Sequence, residues 1–158
     1  MNTGRMSKIL MSFIGMLVVS VAMAGSYGKQ KVVYHINYDN PKTQAGALRN
    51  IQNHINAVGA ENLELKVVLH GKGVSLLLEP DAAMETKLAL GNATDEIQAK
   101  ISGLKEQGVG FHVCANTLKG KKVILTEHLY DTSDSDVVPS GVAELAKLQA
   151  EGYTYIKP

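Results

Sequence analysis

The sequence holds a single cysteine, Cys114, among 158 residues, together with no tryptophan and only two phenylalanines. One cysteine excludes an intrachain disulfide framework and any metal site built from several thiolates. A core without tryptophan and nearly without phenylalanine must be filled by Val, Leu, Ile and Ala. An excess of one charge is also missing, since 16 Lys+Arg stand against 15 Asp+Glu for a net charge of +1. Proteins held to nucleic acid by bulk charge need a basic surplus, so that class is set aside. No internal repeat or low-complexity tract interrupts the chain, and no apolar run reaches the roughly 20 residues of a membrane span.

A 16-residue run without a charge, Ile9 to Ala24, follows a basic start at Arg5 and Lys8. It ends on Ala22-Met23-Ala24, the small-x-small pattern at which signal peptides are cut. The expectation is a Sec-type signal over residues 1–24, cleaved after Ala24, and a periplasmic or secreted protein with no stable membrane span. Removing 24 of the 158 residues leaves 134, one ordinary domain over residues 25–158. Both charges lost are basic, so the mature chain carries a net charge of −1. The hydrophobic fraction of 45% and charged fraction of 20% suit a globular domain. A body of this size buries about two-thirds of its unfolded surface and needs no covalent staple. Gly25 to Gln30 reads as a loose lead-in. A lone thiol in an exported domain then calls for a reason.

Along the mature chain, apolar runs alternate with helical patterns. Val32 to Ile36 is rich in β-branched residues and suits a strand covered on both faces. Asp39-Asn40-Pro41 starts a helix whose buried stripe is Leu48, Ile51, Ile55 and Val58, closed by Gly59. Leu63 to His70 is a second strand, broken by Gly71-Lys72-Gly73. Val74 to Leu78 suits a short helix, interrupted by Pro80, with Ala82 to Leu90 as another helical piece. Asn92 is placed as the N-cap of a helix carrying Asp95 and Glu96 in its first turn and Ile97, Ile101 and Leu104 inside. Gly108 stops it, and Val109 to Cys114 is the third strand. Asn116 to Lys122 reads as a polar connection, and Val123-Ile124-Leu125 as an apolar piece whose type the pattern leaves open. Asp131 to Asp136 is an acidic loop and Val137-Val138 a brief fourth strand. Ser140 caps a last helix containing Leu145 and Leu148 and ending at Gly152. Tyr153 to Lys157 alternates as a final edge strand. This order gives an α/β domain, a parallel sheet wrapped on both faces. In such folds the chemistry lies beyond the carboxyl ends of the strands. That rim holds Asn37 and Asp39, then His70 to Gly73, then Cys114 to Lys119.

Cys114 therefore falls at a strand end, where turn or helix-start N–H groups favour a thiolate. Asn116 follows it closely, and Lys119, Lys121 and Lys122 add positive charge. The opposing reading is a small buried hydrophobe with no chemistry, and both stay open. His112 stands two residues before Cys114 on the same strand face and is a supporting residue by the logic of Cys–His pairs, although i and i+2 side chains stand apart. His35 and His70 lie at or near the ends of their strands. His54 flanks the apolar stripe of its helix and reads as packing or surface, and His128 has no regular metal-ligand spacing. No metal is expected. The amides of Gly71-Lys72-Gly73, with His70, could hold an anion. The stretch lacks the third glycine of a dinucleotide fingerprint and the Gly-Lys-Ser/Thr of a P-loop. Asp39 to Gln44 offers no phosphate cradle for flavin, so no cofactor is expected. The acidic loop does not match the EF-hand. Asn92-Ala93-Thr94 is a formal glycosylation sequon, for which a helix cap is a sufficient explanation.

These segments carry a resemblance. Val32-Val33-Tyr34-His35-Ile36-Asn37, His70-Gly71-Lys72-Gly73-Val74, Phe111-His112-Val113-Cys114-Ala115-Asn116-Thr117-Leu118, Val137-Val138-Pro139-Ser140-Gly141-Val142-Ala143-Glu144-Leu145 and the close from Gln149 to Pro158 together span nearly all of the mature chain. In order and spacing the chain resembles the DsrE/DsrF-like family, in its exported single-cysteine branch. The resemblance implies a three-layer α/β/α sandwich with a five-stranded, mostly parallel sheet. It implies homo-oligomers, trimers or hexamers, with rim cysteines near subunit interfaces. It also implies a sulfur-relay role, in which Cys114 carries sulfane sulfur as a persulfide between donor and acceptor proteins or small sulfur anions. On that reading Lys119 or Lys121 and the Gly71 to Gly73 amides hold the anionic donor. The chain departs from the relay proteins of that family in being exported. The alternative is a non-catalytic oligomeric binding module for a small anion or protein partner, in which Cys114 only packs.

Overall fold

The computed structural model describes residues 27–158, and the expected signal segment lies outside them. Five strands, β1 (Gln30–Ile36), β2 (Leu63–Leu69), β3 (Gly110–Cys114), β4 (Val137–Val138) and β5 (Thr154–Ile156), form one sheet in the order β4-β3-β2-β1-β5. Every pairing is parallel. The helices are α1 (Pro41–Val58), α2 (Asp95–Glu106), α3 (Ala115–Lys121), α4 (Leu125–His128) and α5 (Gly141–Ala150). The α/β/α class expected from the sequence is the one observed.

Local chemistry explains the elements that frame the rim. Asn40 caps α1, its side-chain oxygen accepting from the Thr43 N–H at 3.0 Å, with Pro41 in the first turn where its missing N–H costs nothing. Ser140 caps α5 through the Ala143 N–H. The acidic loop contains a short turn, Asp134–Asp136, closed by a reciprocal capping box between Ser133 and Asp136.

Three local expectations are corrected. Asn116 to Lys122 is not a polar connection, because Ala115–Lys121 is helical and Lys122 ends it in the left-handed region, φ 58°. Ala82 to Leu90 is not a helix. Only Asp81–Glu85 makes a 3-10 turn, as Gly71–Leu76 does before it. Asn92 does not cap α2, since Thr94 occupies that position. The Asn92 amide is buried and donates to Asp39 O at 2.9 Å and Gln44 Oε1 at 2.8 Å, while Gln44 donates to Ser75 Oγ at 2.9 Å. The polar groups satisfy one another in the interior, which is what allows them to be there.

The two faces of the sheet are unequal. One carries Tyr34, Ile36, Val67, Leu69, Phe111 and Val113 into the main core, with Leu48, Ile51, Ile101, Leu104 and Leu118 from the helices. The other meets α5, and its apolar cluster is only Val33, Val68, Leu145, Leu148 and Tyr153. Strand alternation puts His35, His70, His112 and Cys114 on this second face. The rim histidines and the thiol thus share the face with the thinner cover.

Candidate functional site

The path of the chain diverges to opposite faces of the sheet at one place on the rim. From β3 the chain turns into α3, whose Leu118 joins the main core, whereas from β4 it turns into α5 on the opposite face. Adjacent strands that send their connections to opposite faces leave a gap beyond their carboxyl ends. Cys114, paired in register with Val138, stands in that gap. Its residue is 5% exposed, so the thiol is buried at the carboxyl end of β3.

Burial raises the thiol's pKa. Opposing this, the nearby Thr117 hydroxyl and the backbone N–H groups of Gly141, Thr117 and Asn116 favour the anion, and together they bring it below the ordinary thiol value. Hydrogen bonds to the charged form favour that form. The donors come from the starts of both diverging helices, Asn116 and Thr117 from α3 and Gly141 from α5. Asn116 acts on the thiol through its backbone N–H. Thr117 was missed in the sequence, although a threonine three residues after the thiol at a helix start is a recognisable capping spacing.

Gly141 explains how α5 can come so close. A Cβ there would lie 2.9 Å from His70 Cβ and 3.3 Å from Cys114 Cβ, so only glycine fits between them. The loop after β2 joins the same construction, because the Gly71 N–H donates to Thr117 Oγ1 at 2.9 Å and leaves that hydroxyl free to donate to sulfur. The Gly73 N–H donates to His70 O at 3.0 Å. Two of the three amides expected to cradle an anion are therefore used within the protein. Gly73 has a packing reason of its own, since a Cβ there would overlap Ile36 O at 2.0 Å. Lys72 is exposed and its Nζ lies 3.4 Å from Asp39 Oδ2, an ion pair on the same rim.

His112 does not turn to the thiol. Its Nδ1 lies 3.1 Å from Oε1 of Glu144 on α5, a nearly buried carboxylate. Burial lowers the pKa of His112, and Glu144 only partly offsets this. A neutral imidazole donating to Glu144 anchors α5 over the sheet. Lys119 and Lys121 occupy the last turn of α3, away from the end that holds Cys114.

Sequence reasoning placed His35 and His70 on the rim without joining them. Their Nε2 atoms are 2.7 Å apart, and His35 Nδ1 is 2.7 Å from the hydroxyl of Tyr155 on β5. Burial, then His70 and Lys157, push the pKa of His35 down to about 4, and burial and Lys157 also lower that of His70. The partner was hidden because Tyr155 reaches the pair only through the β1–β5 pairing, 120 residues away in sequence. His54 bridges Tyr34 Oη and Gln30 Oε1 and is a packing residue. His128 is buried with Nδ1 accepting from the Ile124 N–H. Among the described residues no group of three or more His, Cys, Asp or Glu side chains is arranged to hold a metal ion.

Residues 30–158 match the model of the DsrE/DsrF-like family. Among solved structures, the chain is similar to a protein of unknown function, MTH1491, from Methanobacterium thermoautotrophicum. That similarity has a TM-score of 0.65 at 29% identity and covers 82% of this chain and 100% of that one. No curated protein matches.

Proposed function

Because the chain belongs to the DsrE/DsrF-like family, which is associated in general with sulfur relay, we propose that it carries sulfane sulfur on Cys114 as a persulfide and hands it to an acceptor. The observation that carries this reading is the thiol itself, which ends β3 on the switch-point rim and whose pKa is lowered by the Thr117 hydroxyl and the backbone N–H groups of Gly141, Thr117 and Asn116. A thiolate is the nucleophile such chemistry needs.

Loading requires no oxidant. With thiosulfate as donor, Cys114 Sγ attacks the outer sulfur, a new S–S bond forms, the donor S–S bond breaks, and its electron pair leaves with sulfite. Unloading repeats the exchange: an acceptor thiolate attacks the outer sulfur of the persulfide, and the pair returns to Cys114 as thiolate. The donors around Sγ stabilise the anion present before the first step and after the second. A donor or acceptor protein fits the scheme as well as a small sulfur anion, since each presents the same sulfur–sulfur bond. One cysteine suffices because the second thiol belongs to the other reactant.

The setting we propose is the periplasm or exterior, reached through the N-terminal signal. Among the described residues no helix is long and apolar enough to cross a membrane. Sequencing the exported protein should read from Gly25. We further propose a homo-oligomer, a trimer or hexamer, supported by exposed Val142 on α5 and half-exposed Tyr155 on the thinly covered face.

The test is delivery. Protein loaded with polysulfide, desalted and treated with cyanide should release one thiocyanate per chain, as cyanide takes the outer sulfur. Cys114→Ser should release none. Equal release from both proteins would remove Cys114 from the chemistry. The deep burial of the thiol favours a second reading, a binding module in which Cys114 packs. Anion or partner binding by Cys114→Ser, combined with an absence of thiocyanate from the wild type, would establish that reading instead.

A further inference from the structure

We propose that the His35–His70 pair is a one-proton acceptor for the Cys114 rim, so that a dianionic sulfur species binds there together with a single proton. This rests on the preceding reading in taking the rim as the receiving site for anionic sulfur. It adds two residues and a proton to that site.

The geometry fixes the count of protons. Two imidazole Nε2 atoms approach to 2.7 Å only when one carries hydrogen and the other offers its lone pair. The ring planes lie within 22° of each other, which suits such a bond. In the neutral pair one ring therefore donates through Nε2 and the other holds its hydrogen on Nδ1. One added proton has a place: both Nδ1 atoms become N–H, the Nε2 contact keeps its single hydrogen, and His35 Nδ1–H donates to Tyr155 Oη at 2.7 Å. A second has none, because two N–H groups would then face each other across 2.7 Å. The pair takes up one proton and refuses the next.

Its position ties that proton to Cys114. His70 directly follows β2 and Cys114 ends the neighbouring β3, and both touch the place where a Cβ of Gly141 would stand. The Gly71 N–H, one residue after His70, binds the Thr117 hydroxyl that serves the thiol. His70 Cδ2 faces Gly141, so its Nδ1 lies on the opposite edge of the ring.

The charged and titratable groups around the pair decide when the proton arrives. Tyr155 and Lys157 belong to the β5 end, Cys114 to β3, and the Lys72–Asp39 ion pair to the connections after β1 and β2. From α5, Glu144 is engaged by His112, with Lys147 Nζ at 3.8 Å. Burial and the Lys157 charge keep the pair neutral in the free protein. A dianion bound at the rim opposes Lys157 and favours the imidazolium. Between the free and bound titration points, binding therefore takes up a proton, and affinity falls as pH rises.

The experiment is calorimetry of the full-length mature protein with sulfate, a dianion at every pH used that cannot transfer sulfur, in buffers of different ionisation enthalpy. Near pH 6 the uptake should lie between about half and one proton per anion, and Kd should rise correspondingly, roughly three- to tenfold per pH unit, toward neutrality. His70→Gln should abolish both effects, and His54→Gln, altered away from the rim, should keep them. Sulfate binding without proton uptake by the wild type, or no binding, would overturn the proposal even if His70→Gln fails to fold. The cyanide assay reads the underlying function separately. Thiocyanate release without proton coupling would leave the carrier role standing and remove the pair, whereas coupling without thiocyanate would do the reverse.

Discussion

His70, the residue just after β2, and Cys114, the last of β3, flank the same glycine, Gly141, whose missing Cβ would come within 2.9 Å of one and 3.3 Å of the other. The contact joins β2, β3 and α5 at one point and aims the first N–H of α5 at the thiol. Gly141→Ala should therefore act twice. Overpacking between two strand ends and a helix start costs about 1–3 kcal/mol, readable in denaturant unfolding. The displaced N–H should also move the pH midpoint of Cys114 alkylation upward. An alanine variant as stable as the parent, with an unmoved midpoint, would contradict this account of the glycine.

Thr117 tests the donor set without touching the strands. Thr117→Val keeps the shape and removes the hydroxyl that donates to sulfur and accepts from the Gly71 N–H. Loss of that bond should cost about 1–3 kcal/mol, because a half-buried N–H is left without its acceptor. The thiol should titrate at higher pH, measured by the rate of iodoacetamide alkylation across pH. An unchanged profile would mean that the backbone donors alone set the thiolate.

The buried histidine makes stability depend on pH with a definite sign. His35 has a folded value of about 4 against 6.5 for the free side chain, so the unfolded chain binds more protons between those values. Its contribution is present above pH 6.5 and is lost as the pH falls toward 4, by up to about 3 kcal/mol. Chemical denaturation at pH 7.5, 6, 5 and 4 should show this decline, and His35→Gln should flatten it. A wild-type curve rising on acidification would contradict the assignment.

Asn92 belongs to the interior and not to a glycosylated surface. Its amide joins Asp39 O and Gln44 Oε1. Asn92→Ala should lower stability by about 1–3 kcal/mol by leaving buried acceptors unpaired. Expression in a glycosylating host should give an unmodified Asn92 by peptide mapping.

The architecture was legible because period-2 and period-3.6 patterns report burial directly, and β1, α1, α2, β3, α5 and β5 all carry them. The segment Ala115–Lys121 was not, since a single apolar residue, Leu118, faces the core and the rest reads as polar linker. Asn92 misled for a related reason, as an asparagine before Asp95 and Glu96 looks like a cap whether or not a neighbouring network claims it. Cys114 could be placed on the rim from its strand alone. Its partners could not, because Gly141 and Tyr155 arrive through β4, α5 and the β1–β5 pairing, which local sequence does not encode. Lys119 and Lys121 looked close to the thiol in sequence, yet the helix that forms there carries them to its far end.

The central claim is that Cys114 accepts and holds a sulfur atom. Intact-mass spectrometry with peptide mapping, after brief exposure of the protein to polysulfide, tests it most directly. The account predicts one added sulfur on the peptide containing Cys114, removed by a thiol reductant and absent from Cys114→Ser. A Cys114 that gains no sulfur while still open to alkylation would contradict it.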